Sequence, residues 1–174
     1  TGGGKKAGEY YCKLGDRVFI SDPKSASKYF ERAISHMPKA FVAREKLLSL
    51  SEHLDDEEKE IYHAKILARL YKDEQVYDKA IELCNRYIDK YPNELDFRYA
   101  LIEVYESSQK IEQVIEEYQN LANIYEQSNK VKFYLETLEK ILHYSPERAD
   151  IKKLTIKLYR KLKLELYRKY IIAA

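Results

Sequence analysis

The chain has 174 residues, 31 of them Lys or Arg and 29 Asp or Glu, for a net charge of +2. That length buries a sizeable core without disulfide or metal staples, and a composition that is 45% hydrophobic and 34% charged excludes a disordered or collagen-like chain. Opposite charges are finely interleaved, so no global field draws nucleic acid or an anionic membrane, and no apolar run approaches the roughly 20 residues of a membrane span.

Residues 1–6, Thr-Gly-Gly-Gly-Lys-Lys, read as a tag or linker remnant, since they have neither an initiator Met nor the apolar core of a signal peptide. The glycines lack the spacing and the preceding strand of a phosphate-binding loop. From residue 7 to residue 174 one helical domain is expected, because apolar residues recur at intervals of three and four. The pattern predicts helices over 8–19, 23–36, 39–53, 56–73, 77–90, 93–107, 111–127, 131–144 and 147–170. Asp22 before Pro23 predicts an N-cap with proline at the first helical position, and Ser145 before Pro146 predicts the same. Asp55 and Glu58 have the spacing of a capping box. No segment alternates like a strand.

The chain also repeats itself. Pro38, Pro92 and Pro146 are spaced by 54 and again by 54. The same shift brings Arg44 onto Arg98, Leu47 onto Leu101, Ile61 onto Ile115, Leu67 onto Leu121, Ala68 onto Ala122 and Tyr71 onto Tyr125. Connections of a few residues make neighbouring helices antiparallel, and rows of such pairs build a solenoid.

The stretch from Ile61 to Pro92 resembles a tetratricopeptide repeat. It carries Ala64, Leu67, Ala68 and Tyr71 on a first helix and Ala80, Cys84, Tyr87 and Pro92 on and after a second. A further copy reads Tyr118, Leu121, Ala122, Tyr125, Tyr134, Leu138, Ile141 and Pro146; a degenerate one reads Tyr11, Leu14, Gly15, Val18, Ala26, Phe30, Ala33 and Pro38. Tandem members of the family repeat about every 34 residues, whereas these copies recur every 54 with an added helix. The added helix leaves two packings open, a two-layer superhelix or a three-layer repeat, and the two-layer form is the one expected. The resemblance implies an all-α, right-handed superhelix of about nine antiparallel helices, a fragment of a longer solenoid.

It further implies a scaffold that binds a partner protein or peptide, with Tyr62, Lys65, Arg69, Gln119 and Asn123 as candidate contacts. Lys65 and Arg69 stand where one subset of the family grips a carboxylate, but Glu116 and Gln119 occupy the matching places in the next copy, so that clamp is not reproduced. Tyr99 and Tyr144 lie, with Tyr62, off the predicted stripes and are weaker contact candidates.

Nothing in the chain has the pattern of an active site. Cys12 and Cys84 stand far apart without a CxxC, and His36, His53, His63 and His143 have no ligand-spaced companions, so no metal or other cofactor is expected. The run Asp55-Asp56-Glu57-Glu58 suits a helix N-terminus. No nucleophile has a recognisable base, and no enzyme is predicted. Glu147 to Lys169 holds nine basic residues, Arg148, Lys152, Lys153, Lys157, Arg160, Lys161, Lys163, Arg168 and Lys169, against three acids. With Leu154, Leu158, Tyr159 and Leu162 it reads first as a stripe awaiting a neighbour, able to drive homo-oligomerisation, and second as a surface for RNA, an acidic partner or a membrane. RNA binding by helical repeats is the alternative function, and the acidic balance before residue 147 weighs against it. No address signal is visible, and the cytoplasm is the default expectation.

Overall fold

The computed structural model describes residues 2–172, with side chains described for residues 3–163. Among these there are nine helices and no strand: α1 (Gly2–Val18), α2 (Pro23–His36), α3 (Phe41–His53), α4 (Glu57–Asp73), α5 (Tyr77–Lys90), α6 (Asp96–Ser107), α7 (Ile111–Gln127), α8 (Val131–Tyr144) and α9 (Ala149–Ile172). The chain divides into two compact units, Thr1–Val104 and Tyr105–Ala174, with the division falling inside α6. No helix among the described residues is long and apolar enough to cross a membrane.

The helix ends repeat with the sequence. Asp55, Gln75, Gln109 and Asn129 all adopt φ between 52° and 60°, and each N–H that follows bonds to a carbonyl five positions back, Asp56 to Ser51, Val76 to Tyr71, Lys110 to Tyr105 and Lys130 to Tyr125, at 2.7 to 3.0 Å. These are left-handed helix stops that satisfy the last carbonyls. Asp55 and Gln109, and likewise Gln75 and Asn129, stand 54 positions apart. Three of the four other turns contain Pro38, Pro92 and Pro146, each closed by a bond across it: Ala40 N–H to Met37 O at 2.9 Å, Glu94 to Tyr91 at 2.9 Å and Arg148 to Ser145 at 3.2 Å.

Two cap expectations are corrected by this geometry. Ser145 is not an N-cap: its N–H bonds back to Ile141 at 2.8 Å and ends α8, while Pro146 occupies the turn. Asp55 is the left-handed residue, and the cap of α4 is Asp56, whose carboxylate accepts from Lys59 N at 3.2 Å. The Asp22 cap stands as expected, accepting from Ser25 N at 3.1 Å with Pro23 in the first turn. Helix α1 starts at Gly2, inside the segment expected to be a remnant. Its early turns lie on the end of α2, with Gly4 beside the His36 carbonyl and Gly8 against Met37, so packing overrides the poor helix propensity of glycine.

Within the first unit the helices alternate between two layers, as their ion pairs show. Glu45 and Glu52 of α3 pair with Lys79 and Arg86 of α5 at 3.5 and 2.9 Å. Lys65 of α4 pairs with Asp96 of α6 at 2.6 Å, and Lys72 pairs with Glu103. In both sets a step of seven residues on one helix matches a step of seven in the same direction on the other, so α3 runs parallel to α5 and α4 to α6. Asp16 of α1 joins Lys46 of α3 at 3.3 Å. The sequence-equivalent helices α3 and α6 therefore sit in opposite layers, the outcome of three helices per period.

Most of the residues at the recurring positions lie in the core. Ala64, Leu67, Ala68, Tyr71, Ala80, Cys84 and Tyr87 are buried in the first unit, and Tyr118, Leu121, Ala122, Tyr125, Tyr134, Leu138 and Ile141 in the second. Leu14 is half-buried and Gly15 buried. A Cβ at Gly15 would meet the ring of the fully buried Phe30 at 2.7 Å, which explains a glycine in mid-helix. Pro92 and Pro146 are exposed in their turns.

Candidate functional site

Among the grooves on the first unit, one lies between the parallel helices α3 and α5 and another between α4 and α6. The α3–α5 groove encloses about 400 Å³. Leu48, Leu67, Leu83 and Tyr71 form its floor, and Glu45, Ser49, Glu52, Lys79, Glu82 and Arg86 its walls. The floor is held by hydroxyl-to-carboxylate bonds: Tyr71 donates to Glu45, and Tyr87 donates to Glu52 at 3.0 Å. Burial and the neighbouring carboxylates push both phenols far above their ordinary range, so they stay protonated donors. Phe41 stacks on Tyr71 at 5.1 Å between ring centres.

The α4–α6 groove, about 280 Å³, contains Lys65, Arg69, Lys72, Asp96, Tyr99 and Glu103. Two of the five contact candidates thus line one groove, but in different states. Burial would lower the Lys65 ammonium; its hydrogen bonds to Asp96 at 2.6 Å and Glu94 at 3.0 Å outweigh that and hold it above its ordinary value. Its charge is spent on holding α6. The Arg69 side chain is 80% exposed and pairs with Asp73 at 3.8 Å. Tyr62 is exposed on the same helix with its ring edge on His63. Gln119 is half-buried and Asn123 exposed on α7, in the second unit. Tyr144 is taken up internally: its hydroxyl donates to Glu106, which pushes its pKa up to about 12, and its ring stacks on Tyr118.

Sequence reasoning missed the α3–α5 groove. Its signal was present, because Glu45 with Lys79 and Glu52 with Arg86 are opposite charges at a common spacing of 34. Such spacing identifies partners only once the helices are known to be neighbours.

Burial pushes the Cys84 thiol up to about 12, and burial with Asp16 and Glu9 raises Cys12, so neither thiol is activated. His63 is buried beside Arg44, and burial followed by that cation lowers its pKa. Glu60, 2% exposed, would be raised by burial, yet bonds from Lys90 and from Tyr91 at 3.1 Å hold it below its ordinary value. Asp56 caps α4 and pairs with Lys59 at 2.7 Å. No cluster of three metal-ligating side chains occurs among the described residues.

On the second unit, Leu154, Leu158 and Leu162 of α9 are half-buried, while Lys152, Lys153, Lys157, Arg160, Lys161 and Lys163 are exposed. The side chains of Arg168 and Lys169 lie outside the described residues. Comparison of the chain with protein-family models and with curated proteins finds no match.

Proposed function

We propose that this chain is a protein-binding scaffold of the tetratricopeptide-like, solenoid-building kind, which holds a segment of a partner protein in the α3–α5 groove. The observation that carries this reading is the groove itself: two parallel helices with paired charges on their walls, above a floor of Leu48, Leu67, Leu83 and Tyr71. The walls offer Glu45, Ser49 and Glu52 on one helix and Lys79, Glu82 and Arg86 on the other, polar groups able to orient a bound peptide, while little of the apolar floor is left exposed. The 54-residue recurrence of sequence and of helix stops supports the repeat assignment. A competing reading, RNA binding, has one observation in its favour, the exposed cations of α9.

The test is affinity capture from native extract with the whole chain and a Ser49→Arg variant, Ser49 being an exposed residue of the groove wall. A defined protein retained by the parent and lost by the variant supports the groove; Lys65→Glu with Arg69→Glu reports separately on the α4–α6 groove. Retention of RNA alone, or of the same protein by parent and Ser49→Arg alike, sinks the reading.

A further inference from the structure

Helix α9 holds the most one-sided charge of the chain. From residue 151 to residue 163 it presents Lys152, Lys153, Lys157, Arg160, Lys161 and Lys163, all exposed, and no acid. The acid before this stretch, Asp150, is already held by Arg148 through bonds of 3.0 and 2.7 Å. Lys153, Lys157 and Lys161 follow one another at four-residue steps, an arrangement of like charges that destabilises a helix on its own. An external anion would relieve that cost. On the opposite side a half-buried stripe of leucines and the buried Thr155 face α8, with which α9 packs.

The cationic face is not purely polar. Ile156 is 51% exposed, and helical spacing puts it one turn from Lys152, Lys153 and Arg160. We propose that this face docks an acidic protein segment, whose carboxylates meet the lysines and whose aliphatic side chain covers Ile156. An exposed isoleucine amid the cations gains nothing from a phosphate backbone. Five of the six cations are Lys, which lacks the forked geometry arginine offers to phosphates and base edges. The aromatic ring on this stretch, Tyr159, has its hydroxyl on Glu139. Ile156 and Tyr159 are too little apolar surface to anchor a helix in lipid. The proposal goes beyond the groove reading, because it concerns a different surface in the other unit, and each can fail while the other stands.

The experiment uses the whole chain and fluorescence anisotropy. The probes are a labelled synthetic helical peptide bearing Glu and Leu on one face, the same peptide with Ser for Leu, an oligouridine of matched charge, and phosphatidylcholine vesicles carrying phosphatidylserine. The Glu/Leu peptide is expected to bind about tenfold or more tighter than its Ser counterpart, and added salt to weaken it. Lys153→Glu with Lys157→Glu should weaken it about tenfold or more, and Ile156→Ser several-fold, with helix content unchanged in each. Should the charge reversal disturb folding, Lys157→Gln gives the same direction with a smaller loss. Equal affinity for the two peptides, tighter binding of oligouridine or vesicles, or no peptide binding at low salt overturns the proposal.

Discussion

Tyr87 of α5 and Glu52 of α3 meet at 3.0 Å, hydroxyl to carboxylate, although 35 positions separate them in the chain. The same carboxylate oxygen accepts from Arg86 at 2.9 Å. Tyr87 is fully buried, whereas the Arg86 side chain is half exposed, so the phenol is the stronger half of the arrangement. Tyr87→Phe should cost roughly 1–2 kcal/mol, and Glu52→Ala about 1–3 kcal/mol, because it takes from a buried hydroxyl one of the two carboxylates around it, the other being Glu60. The double variant should cost less than the sum of the two, as read by urea unfolding in a double-mutant cycle. Additive losses would mean that the bond contributes nothing.

Leu67 and Leu121 occupy the same place in successive periods, 2% and 0% exposed. Leu67→Ala and Leu121→Ala should each lower stability by about 2–5 kcal/mol through lost burial and a residual cavity. A melting temperature unmoved by either substitution would contradict the register.

Gln75 and Asn129 hold equivalent left-handed helix stops, with φ of 60° and 53°. A side chain pays about 1 kcal/mol in this region, and asparagine pays less than glutamine. Gln75→Gly should therefore raise the midpoint of thermal unfolding, by roughly 0.5–1 kcal/mol in stability, and Asn129→Gly should raise it less. The reverse order would show that the Gln75 side chain makes a compensating contact.

His63 carries the pH prediction. Its ring is buried on α4 near Arg44 of α3, with Glu31 of α2 and Lys59 and Asp56 of its own helix start as the other charges around it. Burial, then Arg44, lowers its pKa, so the unfolded chain takes the proton more readily. Stability is then full above the unfolded value near 6.5 and falls as pH drops below it, by up to about 1.4 kcal/mol per pH unit, until the folded value is reached. His36, His53 and His143 are exposed. Urea unfolding between pH 7.5 and 5.5 should show this loss in the parent chain and little of it in His63→Gln; an equal slope in both would remove His63 as its source.

Much of the fold is legible because it is local. Four helices, 23–36, 77–90, 111–127 and 131–144, lie where three- and four-residue spacing puts them, since each has one apolar stripe between recognisable stops. The errors come where one residue type serves two ends. Ser145 before Pro146 has the chemistry of an N-cap, yet Ile141 is in place to accept its N–H, and the helix ends there instead. Asp55 and Asp56 are both able to cap; the preceding helix claims the first for its left-handed stop, and only the second remains free. The candidate contacts are less legible, because a side chain's availability is a tertiary property. Lys65 looks like a free cation in sequence, and only the neighbourhood of Glu94 and Asp96 shows it spent.

The opposite layering of α3 and α6 has an evolutionary corollary. Within the first unit, a binding patch on α3 carried over to the equivalent residues of α6 lies in the opposite layer of helices. Selection for binding on one layer would then act on only one of these two helices, while selection for stability acts on both. Exposed residues should diverge between adjacent periods even as Leu47 and Leu101, or Arg44 and Arg98, stay the same.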